Sequence, residues 1–364
     1  MKIRLLLAML LSTLFATAQS TSFSVSGKII NAETKLPLQA ASVFAQNTTF
    51  GTATDASGHF TLWLPNGGYD LVVTFTGFQT ETRRISTADE NNKDIVIELK
   101  LKEKEMEAVS VVSTSEVKDG WEKYGNFFLE QFIGKTENSK YCSILNKEAI
   151  HFYFSKKRNR LKVLATEPIR IENAALGYQI KYTLDSFTHE YATQISLYTG
   201  YPLFEEKQAT DETQKLTWQG ARQKAYQGSI LHFMRSVFQR RLKEEGFEVQ
   251  YVVNINNRDS ALRLKDFYTA LNYQKDDSTQ TVEIKPNQLQ LGVIYTGEKP
   301  APDYLHENPN EPSNFQFSFL SFLPNRSIII EQNGYFFEQN DITINAYWTW
   351  DKVANLLPYD FTAP

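Results

Sequence analysis

One cysteine in 364 residues, only five histidines, and no long apolar run beyond the N-terminus: these shortages bound what the chain can be. The lone Cys142 excludes an internal disulfide, and a chain of this length builds a core large enough to do without one. Cys142 lies in the alternating segment Ser139-Lys-Tyr-Cys-Ser-Ile-Leu145 and reads as a buried structural thiol. The histidines stand at 59, 151, 189, 232 and 306, and the residues three beyond them are Leu62, Phe154, Ala192, Arg235 and Pro309. None is a carboxylate, so the His-x-x-Glu pair of a zinc carboxypeptidase is missing, and His189-Glu190 is not completed by a second histidine. No G-x-S-x-G elbow, phosphate loop or dinucleotide fingerprint occurs, so no cofactor is expected.

Positive charge is also short. Lys and Arg total 38 against 42 acids, and the balance argues against nucleic acid as a partner. After residue 18 no window supplies the roughly 18 apolar residues of a spanning helix, so no transmembrane helix is expected. Nothing in the pattern sets an oligomeric state.

What is present begins with a targeting signature. Lys2 and Arg4 precede the apolar run Leu5–Phe15, and Ala16-Thr-Ala18 offers a cleavage site before Gln19. Residues 1–18 therefore read as a signal peptide. Its removal takes two basic residues and moves the formal charge from −4 to −6.

From Phe23 to Leu99 the chain alternates apolar and polar residues in short runs, broken by turns. The signals include Asn31 to Pro37, Asp55-Ala-Ser-Gly58, Pro65-Asn-Gly-Gly68 and Gly77. Seven short strands at this spacing predict a β-sandwich over residues 19–100. Val25-Ser-Gly-Lys-Ile-Ile-Asn31, Leu36 to Val43, Gly51-Thr-Ala-Thr-Asp-Ala-Ser-Gly-His-Phe60 and Tyr69 to Phe78 resemble the carboxypeptidase-regulatory-like domain. The resemblance covers about residues 23–100. It implies a transthyretin-like, seven-stranded sandwich that is a non-catalytic appendage, found also in exported and outer-membrane bacterial proteins.

Residues 101–118 read as a linker, charged at first, with Val109–Val112 able to add an edge strand. Residues 119–364 read as an α+β, mostly antiparallel domain. The spacing of apolar residues from 121 to 133 predicts an amphipathic helix over 120–135, and a stripe from Tyr226 to Leu242 predicts one long helix near 218–246. A hairpin is expected in 176–204, a loop over 299–313, and a short closing helix over 348–357. Tyr124 to Gly134, Tyr226 to Arg235 and Leu356-Leu-Pro-Tyr-Asp360 resemble segments of exported carboxypeptidase-like regulatory domain-containing proteins.

Candidate site residues are few. Trp348 and Trp350, with Tyr347, form either a platform for sugars or a buried plug near the C-terminus, the plug being preferred. Arg240 and Arg241 could meet an acidic partner, or could simply form a solvated helix face balanced by Glu244 and Glu245. Cys142 and His151 could pair only if the fold brings them together. The expectation is an exported envelope protein, periplasmic or outer-membrane-associated, binding a protein partner without catalysis. The alternatives are a peptide or glycan hydrolase with its site in 119–364, and a small outer-membrane-associated protein linked to TonB-dependent transport.

Overall fold

In a computed structural model, residues 22–102, 116–255 and 258–363 are described. The targeting segment with Ala18 and Gln19, and the strand expected at Val109–Val112, lie outside the described residues. Among the described residues no helix is long and apolar enough to cross a membrane.

The chain is mostly β. Strands β1 (Ser22–Asn31), β4 (His59–Pro65) and β7 (Ile95–Leu99) form one sheet in the order β4-β1-β7. Strands β2 (Ser42–Ala45), β3 (Gly51–Ala53), β5 (Gly68–Thr74) and β6 (Glu81–Ser86) form the other, ordered β3-β2-β5-β6. Alternation drives the packing: in β4, Phe60, Leu62 and Leu64 are buried while His59, Thr61 and Trp63 face water. They meet Val43, Leu71 and Val73 of the facing sheet in one core, giving a β-sandwich. The turn into β4 closes as its residues dictate. Asp55 Oδ1 accepts from the Ser57 and His59 amides, both at 2.9 Å, and Gly58 takes φ +78°.

Residues 119–364, read from sequence as one domain, hold two large hydrophobic cores and a small cluster of Tyr304, Tyr347 and Trp350 among the described residues. The first gathers helix α1 (Gly120–Phe132) on a six-stranded sheet of β8 (Cys142–Ile144), β9 (Ile150–Ser155), β10 (Arg160–Ala165), β11 (Ile169–Asn173), β12 (Tyr178–Glu190) and β13 (Ile195–Glu206). Phe128 and Phe132 of α1 are fully buried against Phe187, Tyr182 and Tyr198, with ring centroids 4.9–5.3 Å apart. Each such ring contributes about 1.5–3 kcal/mol by leaving water. β12 and β13 form the expected hairpin, but it turns at 191–194, so Tyr178 faces Glu206 and Glu190 faces Ile195.

The second core lies under a five-stranded sheet, β14 (Phe247–Ile255), β15 (Arg258–Arg263), β18 (Gln290–Tyr295), β19 (Gln316–Phe322) and β22 (Ile342–Ala346). Beside it are β16 (Gln274–Asp276), β17 (Thr281–Ile284), β20 (Ile328–Ile330) and β21 (Phe336–Phe337). The pairings between the described strands beyond residue 116 are antiparallel. Short helices Phe267–Ala270 and Pro302–Glu307 complete it, the latter inside the stretch read as a loop.

The single long helix expected near 218–246 is instead two, α2 (Glu212–Tyr226) and α3 (Ile230–Phe238). Gln227 is extended, Gly228 takes φ +75°, and Ser229 caps α3 by accepting from the His232 amide at 3.2 Å. The break has a packing cause. Ala225 and Tyr226 belong to the first core, whereas Phe233, Met234 and Val237 belong to the second. The closing helix at 348–357 is likewise two separate 3-10 turns, Tyr347–Thr349 and Val353–Asn355.

Candidate functional site

The sandwich is not a free appendage. On the outer face of β2 and β5, Phe44 and Val72 are 2% and 0% exposed, and Leu203 from beyond residue 116 lies against Gly51 beside Phe44. The turn between β2 and β3 is wired into that region: Asn47 N donates to Pro202 O at 2.8 Å, Phe204 N to Thr48 O at 2.9 Å, and Tyr359 N to Asn47 O at 2.7 Å. Asp360 accepts from both the amide and hydroxyl of Thr49, at 2.9 and 2.5 Å. On β5, Asp70 accepts from the Tyr335 hydroxyl at 2.5 Å, and the Arg84 guanidinium of β6 lies 3.1 Å over the Phe337 ring.

Among the cavities along this junction, two are lined by the residues that matter most for a site. The larger is an open, polar cleft of about 1160 Å³, walled by Thr49, Phe50, Pro65, Asn66 and Tyr69 of the sandwich and by α2, α3 and the 359–363 segment. His232 stands in it, buried, between the rings of Tyr226, Phe247 and Tyr295 at 4.7, 4.8 and 5.7 Å. Burial holds its imidazole below the usual histidine range, so the ring is neutral at pH 7. Its Nδ1 accepts from the Gly228 amide at 3.2 Å, which leaves the proton on Nε2, facing Glu245 Oε2 at 3.3 Å. Both nitrogens are thus engaged, and the ring anchors Glu245 rather than serving as a free base. Arg241 Nη2 holds the other oxygen of Glu245 at 2.9 Å. Arg235 donates to Asn333 O and Tyr359 O, both at 2.9 Å.

The smaller cavity, about 360 Å³, is mainly apolar and lies where the sandwich turn meets both later cores, with Tyr182, Tyr198, Ile230, Leu231, Trp348 and Leu357 among its walls. Asp351 also lines it. Enclosure of its carboxyl raises the pKa to about 6, while burial holds Lys352 below the usual lysine range.

The sequence-predicted residues fall as follows. Trp348 is 4% exposed and donates from Nε1 to Gly228 O at 2.8 Å; Trp350 is 9% exposed and packs edge-on to Tyr304. Neither presents the open ring face that a sugar platform needs. Arg240 and Arg241 lie past the end of α3 rather than on a helix face. Arg240 takes φ +55° and sits over the Tyr268 and Tyr273 rings at 4.7 and 5.1 Å, while Arg241 lines the polar cleft.

Cys142 and His151 are not brought together. Cys142 on β8 pairs β11, His151 on β9 pairs β10, and these arms adjoin different halves of β12. His151 Nδ1 faces Glu116 Oε1 at 3.0 Å, and burial pushes the Cys142 thiol up to about 12. Among the described residues no group of three or more His, Cys, Asp or Glu could hold a metal ion.

The junction residues escaped sequence reasoning as site residues, yet a signal existed. Two of the segments singled out in the sequence, Tyr226 to Arg235 and Leu356 to Asp360, meet here. Arg235 reaches Tyr359 O at 2.9 Å, and Tyr226 packs on Phe361 at 5.7 Å.

Comparison with known proteins adds one firm result. No curated protein matches the chain. Among solved structures, catechol 1,2-dioxygenase from Acinetobacter sp. ADP1, inhibited by bound mercury, aligns at 14% identity and TM-score 0.18, over 24% of this chain and 54% of that one. A 9R-lipoxygenase from Cyanothece PCC8801 aligns at 8% identity and TM-score 0.17, over 65% and 52%. The chain thus spans about half the length of either, and at those scores neither bears on its fold or activity. The family described as CarboxypepD_reg-like domain matches residues 25–111, eleven residues past the boundary at 100 read from sequence. Residues 25–111 are a CarboxypepD_reg-like domain, and the chain carries it docked against a larger α+β region.

Proposed function

We propose that this chain is an exported, non-catalytic binding protein of a Gram-negative envelope, periplasmic or outer-membrane-associated, whose sandwich forms one fixed wall of the binding site. The observation that carries the reading is the polar cleft of about 1160 Å³ shared between sandwich and α+β region. Its Gln223, Gln227, Gln239, Gln332 and Asn333 supply amides that both donate and accept. That chemistry suits an extended polar segment of a protein partner. The signature in residues 1–19 supports export. The seven strands from Ser22 to Leu99 support a transthyretin-like arrangement of the sandwich.

The test is a crosslinking pull-down of the tagged mature protein from its own envelope, read by mass spectrometry, with Arg241→Glu and Gln239→Ala as cleft variants. One dominant envelope protein, lost in the variants while they keep their melting temperature, is the expected result. Recovery of nothing specific, or hydrolysis of peptides or glycans by the purified chain that one substitution abolishes, would overturn the reading.

A further inference from the structure

A second site, separate from the polar cleft, lies in the apolar chamber. Its volume of about 360 Å³ falls in the range of small-molecule sites, roughly 300–1,000 Å³, and its lining is mainly apolar with few polar groups, as such sites are. It also has an entrance. Gln46, Tyr182, Tyr198, Ile230, Phe336 and Ile344 line both the chamber and an adjoining groove of about 810 Å³.

The charges around this path select the ligand. The groove carries Asp70, Asp185 and Glu338 against Arg84 alone. Arg84 is stacked on Phe337, whereas Asp185 and Glu338 are exposed. At the chamber wall, Lys352 also borders a separate cavity lined by Glu130, Gln131 and Glu307, and its Nζ lies 3.5 Å from Gln131 Oε1 on that side, turned away from the chamber. An anion entering here meets acids at the mouth and, among the described residues of the chamber wall, no cation turned toward it. A molecule without negative charge meets rings and aliphatic side chains.

We propose that the chamber, reached through the acidic groove, binds one small apolar molecule that is neutral or cationic and rejects anionic amphiphiles. Two fluorophores with nearly the same ring system separate these classes: neutral N-phenyl-1-naphthylamine, and 1-anilinonaphthalene-8-sulfonate, which adds a sulfonate. With the folded full chain, the neutral probe is expected to bind saturably at one site and to quench Trp348 emission. The sulfonate should bind at least about tenfold more weakly. Ile344→Trp, a partly buried position shared by chamber and groove, should weaken the neutral probe at least about tenfold. If that variant fails to fold, the exposed double change Asp185→Asn with Glu338→Gln decides, tightening the sulfonate severalfold while leaving the neutral probe unchanged. No binding of the neutral probe, equal binding of both probes, neutral-probe binding unchanged in folded Ile344→Trp, or no effect of the double change on the sulfonate would each overturn the proposal.

Discussion

Glu331 follows β20 and is 3% exposed, facing Gly68 of the sandwich, with Oε1 accepting no hydrogen bond among the described residues. Burial raises its carboxyl to about 7, an effect that Arg84 and the Gly68 backbone only partly offset. The folded state therefore holds this proton more tightly than the unfolded chain does. Its stabilising share is fully present below the unfolded value near 4.5 and is lost as pH rises through about 7. The span between those values corresponds to about 3 kcal/mol. Glu331→Gln should match the wild type in urea melts at pH 4 and exceed it by about 1–3 kcal/mol at pH 8. Equal stability of the two proteins at both pH values would remove this account. Cys142 makes a simpler case: with its thiol at about 12, it should ignore Ellman's reagent in the native protein at pH 8 and release one equivalent in urea. Rapid native reaction would show that the thiol is not held as described.

At the scale of elements, the decisive feature is the break between α2 and α3. A Cβ at Gly228 would stand 2.3 Å from Gln316 Oε1 and 2.6 Å from the Tyr295 ring, and φ +75° adds backbone strain. Gly228→Ala should therefore cost about 2 kcal/mol or more by chemical denaturation, far beyond the Gly-to-Ala change in an ordinary helix, which stabilises. A stabilised variant would show that the two helices can fuse. The stripe from Tyr226 to Leu242 is a true 3.6-residue pattern, and this is why it reads as one helix. Periodicity reports that a face is apolar but not which core it joins, so Ala225 and Phe233, serving different cores, look alike in the sequence. In β4 the same logic succeeds, because alternation and a single core agree.

For the molecule as a whole, the junction matters most. Asp360→Ala removes both acceptors of Thr49 and leaves a partly buried amide unpaired, at a cost of about 1–3 kcal/mol. Hydrogen exchange should then speed up first in the Gln46–Phe50 turn and the 357–361 segment. Uniform exchange across all three cores would show that the junction is no separate unit. Because the β2–β3 turn is hydrogen-bonded to Pro202, Phe204 and Tyr359, deleting the sandwich would leave those backbone groups unpaired, so point variants are the sounder probe of its role.

Local chemistry was enough to determine part of this protein. The short alternating runs, the Asp55–Gly58 turn and the quoted segments specify the CarboxypepD_reg-like domain, since their information lies within a few residues of each position. The amphipathic helix at 120–132 was legible for the same reason. Tertiary structure alone decided the rest: the split of α2 from α3, the separation of Cys142 from His151, the burial of Trp348 and Trp350, and the junction that makes both cavities. Each depends on contacts between residues as much as 311 positions apart, such as Thr49 with Asp360, and no local pattern encodes a pairing over that span.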